Sequence, residues 1–123
     1  MQLPPVSGPG YGYQPMGEKP VAEKFREKLN TIWARAHDMS GQIDEEKVLE
    51  DFRDIHESVG ELYDLIPHLP AHMREDAANF CRQLGDAVAT RIYMDVGNDK
   101  KMHKDVEVIS KIMAEFKSFL GVN

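Results

Sequence analysis

The sequence has almost no cysteine and no long apolar run. Cys81 is its one cysteine, so no disulfide can form within the chain, which suits a reducing compartment. No apolar stretch approaches the ~18 residues of a membrane-spanning helix. The first 20 residues have neither the basic start nor the apolar centre of a secretory signal. We therefore expect a cytoplasmic protein without membrane insertion, and a nuclear location stays open.

The sequence also lacks the motifs of common enzyme and metal sites. It contains no glycine-rich phosphate loop, no Walker pattern and no G-x-S-x-G. It has no Glu-x-x-His of the kind that di-metal bundles use. His68 and His72 are four residues apart, but Pro67 and Pro70 place them in a loop, which is weak evidence for zinc. Cys81 would need a positioned base to act as a nucleophile. We expect no catalytic residue, no cofactor and no metal.

Positive charge is scarce relative to negative charge. Lysine and arginine together number 15 against 21 carboxylates, and the formal net charge is −6. The first 20 residues hold only Glu18 and Lys19 as charged residues, so the negative excess belongs to the rest of the chain. An acidic domain is repelled by phosphate backbones and by anionic membrane surfaces. We therefore do not expect nucleic acid as a partner.

The N-terminal head is rich in proline and glycine. Residues 1–20 contain five prolines and four glycines. Proline removes backbone donors and glycine raises the entropy cost of order, so we predict a disordered or polyproline-like linker. The stretch 11–15, YGYQP, is either a short recognition motif or plain linker. We divide the chain into a linker, 1–19, and a helical bundle domain, 20–123, and expect the domain to belong to a longer protein.

Apolar residues recur at helical spacing in four segments, and no segment sustains the alternation of a strand. The predicted helices are 20–39, 44–66 and 71–96, and a last helix follows the turn signal of residues 97–99 and ends at Leu120, with Gly121 as its cap. The third segment is one bent helix or two pieces, and we favour two pieces with a bend at Gly85–Asp86. The sequence therefore predicts an all-α antiparallel bundle of four or five helices.

The expected core follows apolar stripes that contain no carboxylate. Trp33 is the largest apolar side chain and is expected to anchor the core from the first helix. The stripe of the second helix consists of Val48, Phe52, Ile55, Val59, Leu62 and Ile66. A second row is expected to widen this face, and it consists of Leu49, His56 and Tyr63. The stripe of the last helix has the same spacing and consists of Met102, Val106, Ile109, Met113, Phe116 and Leu120.

The second helix carries an unusual excess of carboxylates. Nine acidic residues lie between Asp44 and Asp64, against Lys47 and Arg53 alone. Several of them are like-charged pairs four residues apart, which weaken a helix. Three interpretations stay open: a solvated outer face, a face balanced by lysines of the first and last helices, or a docking surface for a basic partner. The candidate partner-binding residues are Glu46, Glu50, Asp54, Glu57 and Glu61.

Four short stretches of the chain carry a family resemblance. They are 25–29 (FREKL), 48–51 (VLED), 61–65 (ELYDL) and 69–70 (LP), and they follow a proline-rich head. This layout resembles the helical domain shared by the steroid receptor RNA activator protein and the large outer-coat subunit of the COPII vesicle coat. In that family a leucine-tyrosine-aspartate also ends the second helix. The resemblance covers roughly 20–122 and implies a non-enzymatic interaction module, with no catalytic motif to carry over.

Our leading functional hypothesis is therefore a helical protein–protein interaction module at the end of a larger scaffold or coat protein. The resemblance implies vesicle coat assembly between the endoplasmic reticulum and the Golgi, at exit sites, or transcriptional co-regulation. The alternative is a small structural or regulatory bundle that associates with a second copy of itself.

Overall fold

The computed structural model describes residues 20–95 and 97–122, except for the side chains of Ala89, Thr90 and Tyr93. The predicted linker 1–19 lies outside the described residues. The four long helices are α1 (Val21–Gly41), α2 (Glu45–Leu65), α3 (Ala71–Asp86) and α4 (Asp99–Leu120). No strand occurs in the described part of the chain. The all-α bundle is thus confirmed.

The first two helices begin and end where local chemistry predicts. Pro20 precedes the first turn of α1, where its missing amide donor costs nothing. Asp44 caps α2, because its Oδ1 atom accepts a hydrogen bond of 3.0 Å from the amide of Glu46. Pro67 then disfavours further α-helix. The chain leaves α2 through a single 3₁₀ turn, Ile66–His68.

The third predicted segment is one helical run rather than two separated pieces. The helix α3 passes directly into a π-helical segment, Ala87–Ile92, and then into an α-helical turn, Tyr93–Asp95. The break expected at Gly85–Asp86 is therefore a change of helix type. A Cβ atom at Gly85 would lie 3.7 Å from a methyl group of Val59, so α2 and α3 approach each other closely here. The wider π-turns then shift which residues face the core.

The last helix begins and ends with capping residues. Gly97 makes the preceding turn with a φ of +93°, and Asn98 caps α4 by accepting a hydrogen bond of 3.2 Å from the amide of Lys101. At the other end Gly121 adopts the left-handed conformation, with a φ of +78°. The turn and the glycine cap predicted from the sequence are both present.

Each long helix packs against its two neighbours in the bundle. The chief contacts join α1 to α2, α2 to α3, α3 to α4, and α4 back to α1. Phe116 of α4 occupies the centre, with its ring 4.9 Å from that of Phe80 and 5.5 Å from that of Phe25. Short loops make successive helices antiparallel. One end of the bundle therefore holds both the α1–α2 loop and the α3–α4 loop.

The buried face of α2 is rotated relative to the predicted one. Of the predicted stripe, Ile55 and Leu62 are fully buried, and the other four members are only partly covered. The face turns instead toward three residues that the stripe left out, Asp51, Ser58 and Leu65. The second row does not widen the core, since Leu49, His56 and Tyr63 are all exposed. The cause is the position of α1, which covers the flank that carries Asp51 and Ser58.

The prediction that Trp33 anchors the core is wrong. Its side chain is 40% exposed at the edge between α1 and α4. The indole Nε1 atom donates a hydrogen bond of 2.8 Å to Ser110 Oγ, and the ring stacks on His37 with a centroid distance of 4.9 Å. An indole needs an acceptor for its N–H when it packs. The edge of the bundle supplies that acceptor, and the apolar interior does not.

Candidate functional site

The acidic residues of α2 do not form one uniform surface. Among the five candidate residues, Asp54 and Glu61 form ion pairs with α1, whereas Glu46, Glu50 and Glu57 form none with it. Arg35 Nε lies 3.3 Å from an Asp54 carboxylate oxygen, and Lys28 Nζ lies 3.1 Å from a Glu61 oxygen. These two of the five candidate residues therefore hold α1 and α2 together and are partly neutralised.

The outer three candidates are exposed to solvent. Glu50 lies 3.7 Å from Lys47 Nζ, a long ion pair within the same helix. Glu46 and Glu57 form no ion pair with any described residue. Exposed ion pairs contribute little to stability, so Glu50 also stays available to another cation. Glu46, Glu50 and Glu57 make up what we call the outer acidic face.

The lysines of α4 do not balance this face. Among the described residues, no ion pair joins α4 to α2, because α1 and α3 lie between these two diagonal helices. Lys117 instead donates a hydrogen bond of 2.6 Å to Asn30 Oδ1 on α1. The interpretation that the last helix neutralises the second is therefore wrong. Among the described residues, the cations that another helix brings to the carboxylates of α2 are Lys28 and Arg35 of α1.

An apolar groove opens at the end of the bundle that holds the two loops. It has a volume of about 740 Å³ and lies between the end of α1, the start of α2 and the start of α4. Met39 and Met102 are buried at its base, and Val48 and Phe52 form a half-buried wall. Sequence reasoning missed this groove, because it combines residues from three separate helices.

The rim of the groove is apolar and acidic. Ile43, in the α1–α2 loop, is 97% exposed, and Leu49, in the first turns of α2, is 55% exposed. The charged residues that line the groove are Glu45 and Asp99, and both are carboxylates. Leu49 also borders a shallower depression that contains Glu46 and Glu50. The groove and the outer acidic face therefore meet at Leu49.

A carboxyl pair connects α1 to α2 near this end, and it joins the buried Asp51 to the exposed Asp38. Asp51 is only 3% exposed, and it shares a hydrogen bond with Asp38 in the last turn of α1. The pKa of Asp51 is raised to about 7, chiefly by burial and also by the hydrogen bond and negative charge of Asp38, against the opposing effect of Arg35 and Lys47. The hydrogen bond from Asp51 lowers the pKa of Asp38. Two carboxylates can be hydrogen bonded only if one of them carries a proton.

A second carboxyl pair connects the chain before α4 to α4. Asp105 is 5% exposed. Its pKa is raised to about 6, chiefly by burial and also by the hydrogen bond and charge of Asp95. Arg91 and Lys101 oppose this shift. The buried faces of α2 and α4 therefore each include one carboxylate that the predicted apolar stripes left out. The signal was present in the sequence, since Asp51 and Asp105 each lie four residues before a buried isoleucine.

The candidates for catalysis or metal binding are not brought together. Cys81 is buried in the core, and burial raises the pKa of its thiol to about 12, which keeps it protonated and unreactive. His68 and His72 are both exposed near the α2–α3 connection. Over residues 20–95 and 97–122, no group of three or more histidine, cysteine or acidic side chains is arranged to hold a metal ion. No helix in these ranges is long and apolar enough to cross a membrane.

Comparisons with known proteins give no relative for this chain. No family model matches the sequence, and neither the curated proteins nor the solved structures contain a significant match. The site must therefore be interpreted from its own geometry.

Proposed function

We propose that this chain is a non-enzymatic helical protein–protein interaction module that docks a basic partner through the outer acidic face of α2. The observation that carries the proposal is the division of the α2 carboxylates. Asp54 and Glu61 pair with α1, while Glu46 and Glu57 have no cation among the described residues. Like charges repel one another along a helix, so the outer carboxylates lower the stability of α2. A basic partner would neutralise this repulsion when it binds.

The location of such a module is a further part of the proposal. The family resemblance supports a role at the end of a larger scaffold or coat protein, in vesicle coat assembly between the endoplasmic reticulum and the Golgi or in transcriptional co-regulation. Both settings require a module that recognises another protein. Either is consistent with a domain whose described helices display charge without a reactive cluster.

The proposal is tested with a charge-neutralised variant of the full chain. The variant carries Glu46→Gln, Glu50→Gln and Glu57→Gln. The matched control carries Glu75→Gln, Glu107→Gln and Glu115→Gln, three exposed carboxylates of α3 and α4. Proximity labelling in cells compares both with the parent chain, and thermal unfolding checks that each remains folded.

We expect the first variant to lose partners that the control retains, because only the first removes the outer acidic face. The lost partners should contain basic segments. Identical labelling by the two variants would overturn the proposal, since the position of the carboxylates would then not matter.

A self-associating bundle is the second candidate function. The observation in its favour is the set of large apolar side chains left exposed at the loop end, above all Ile43 and Met94. A second copy could cover them. Sedimentation of the full chain over a wide concentration range decides this point, and a monomer at the highest concentration removes the candidate.

A further inference from the structure

We propose that the apolar groove at the loop end binds the apolar face of a partner helix whose polar face is rich in lysine and arginine. The inference rests on the proposed function and specifies the partner by its chemistry. The groove supplies the apolar contact, and the carboxylates around it supply the electrostatic contact. Among the described residues, the apolar side chains that line the groove are Met39, Ile43, Val48, Leu49, Phe52 and Met102.

The charges around the groove select a cationic partner. Every charged side chain that lines the groove is a carboxylate, Glu45 or Asp99. The adjoining depression adds Asp44, Glu46 and Glu50, against Lys47 and Arg53. The two lysines that follow Asp99 in the sequence do not line the groove. A positively charged partner is therefore attracted to this end of the bundle, and an acidic one is repelled.

The secondary structure around the groove selects a helix. The groove is built from helices and short loops, and the described residues contain no strand edge to which an extended peptide could add. A proline-rich ligand would need an aromatic-lined groove, and Phe52 is the one aromatic side chain among the described residues that line this groove. An amphipathic helix needs only an apolar groove. Methionines such as Met39 and Met102 adapt well to its side chains.

Two other occupants fit the charges poorly. A second copy of this chain would bring a net charge of −6 and an identical acidic rim, which opposes symmetric association through the groove. The chain's own residues 1–20 hold one carboxylate and one lysine as their charged groups. They therefore offer no excess of positive charge. A separate, basic protein segment is the occupant that the charges favour.

The test uses designed peptides as the probes. Three fluorescent peptides of about five helical turns each are titrated with the full chain. Two share an identical leucine face, and their polar face is either lysine or glutamate. The third has the composition of the lysine peptide in a scrambled order that destroys the apolar face. Anisotropy measures binding at low and at moderate salt.

Variants of the full chain then locate the binding site. Ile43→Ala with Leu49→Ala removes the exposed apolar rim, and both positions are exposed enough for the fold to tolerate the change. Tyr63→Ala removes a similarly exposed large side chain near the other end of α2 and serves as the matched control. Glu45→Gln with Asp99→Asn neutralises the acidic lining.

We expect the lysine peptide to bind about tenfold or more tightly than the other two. The rim variant should weaken this binding about tenfold or more, and Tyr63→Ala should change it by about twofold at most. Neutralising Glu45 and Asp99 should weaken the binding and reduce its dependence on salt.

Three outcomes would overturn the inference. The first is equal binding, or no binding, of the three peptides. The second is binding that Ile43→Ala and Leu49→Ala leave unchanged but that neutralising Glu46, Glu50 and Glu57 abolishes; the proposed function would then stand without the groove. The third is a dimer of the chain that the rim variant dissociates, which would identify a second copy as the occupant. If the peptides bind as expected while the variant of the outer acidic face labels the same partners in cells as its control, the groove is a binding site, but the proposed function is wrong.

Discussion

Asp38 in the last turn of α1 and Asp51 in the second turn of α2 share a hydrogen bond that requires one proton between their two carboxyl groups. The same arrangement recurs across the other loop at this end, between Asp95 and Asp105. Asp51 and Asp105 are each the seventh residue of their helix. At the groove end, each of the two loops between helices therefore has a carboxyl pair that joins the residues on its two sides.

The first pair makes folding stability depend on pH. The pKa of Asp51 is raised from 3.8 in the unfolded chain to about 7 in the folded one, so the folded state binds the proton more tightly. Its contribution is fully present below about pH 4 and is lost as the pH rises through about 7. Asn in place of Asp51 mimics the protonated carboxyl. We expect Asp51→Asn to raise the free energy of unfolding at pH 8 by about 1–3 kcal/mol and to change it little at pH 4.

Urea unfolding of both proteins at several pH values measures this difference. Asp76→Asn, at an exposed position of α3, serves as the control for the loss of one carboxylate. A constant difference between Asp51→Asn and the parent chain at all pH values would show that Asp51 is ionised throughout.

The exposed position of Trp33 has consequences that its expected core role would not have. We expect acrylamide to quench its fluorescence efficiently in the folded protein, because the side chain is 40% exposed. Ser110→Ala removes the acceptor of its indole hydrogen bond and should lower the free energy of unfolding by about 0.5–1.5 kcal/mol. Quenching as weak as that of a fully buried indole would contradict the structure.

The two kinds of carboxylate on α2 should respond differently to neutralisation. Asp54→Asn breaks the ion pair with Arg35 and should cost about 0.2–1 kcal/mol of stability. Glu57→Gln removes repulsion without breaking an ion pair and should leave stability unchanged or raise it slightly. Thermal unfolding at low salt compares the variants, and high salt should reduce the difference. A larger loss for Glu57→Gln would mean that the outer face is already paired within the chain.

Two glycines, Gly60 and Gly121, at which an added Cβ atom would meet no other atom within 4 Å, should respond in opposite directions to alanine. A Cβ atom at Gly60, in the exposed middle of α2, would meet no atom within 4 Å, so the close packing that a helical glycine can permit is absent there. Gly60→Ala should therefore stabilise the protein by about 0.5–1 kcal/mol. Gly121→Ala should destabilise it by about 1–2 kcal/mol, because a φ of +78° strains any residue with a Cβ. Chemical unfolding measures both changes, and a gain from Gly121→Ala would contradict the left-handed cap.

The helices and their ends were predictable because local rules control them. Asp44, Pro67 and Gly121 act on the backbone within one turn of their own position, so the sequence around them contains the necessary information. The exposure of Glu46 and Glu57 agrees with two of the three interpretations that the sequence left open, a solvated face and a docking surface. Their role as partner-binding residues stays a prediction, because it depends on a molecule other than this chain.

The sequence by itself determined four amphipathic helices, their approximate bounds and the excess of charge on α2, since helical period and capping are local properties. The tertiary structure decided which flank of each stripe was buried. Because α1 packs on α2, the buried face of α2 includes Asp51. Trp33 lies at the edge between α1 and α4. Some carboxylates of α2 form ion pairs with α1, and the others are exposed to solvent. The groove, formed where three helices meet at one end, exists only in that arrangement, because no single helix contains enough of its lining to mark it in the sequence.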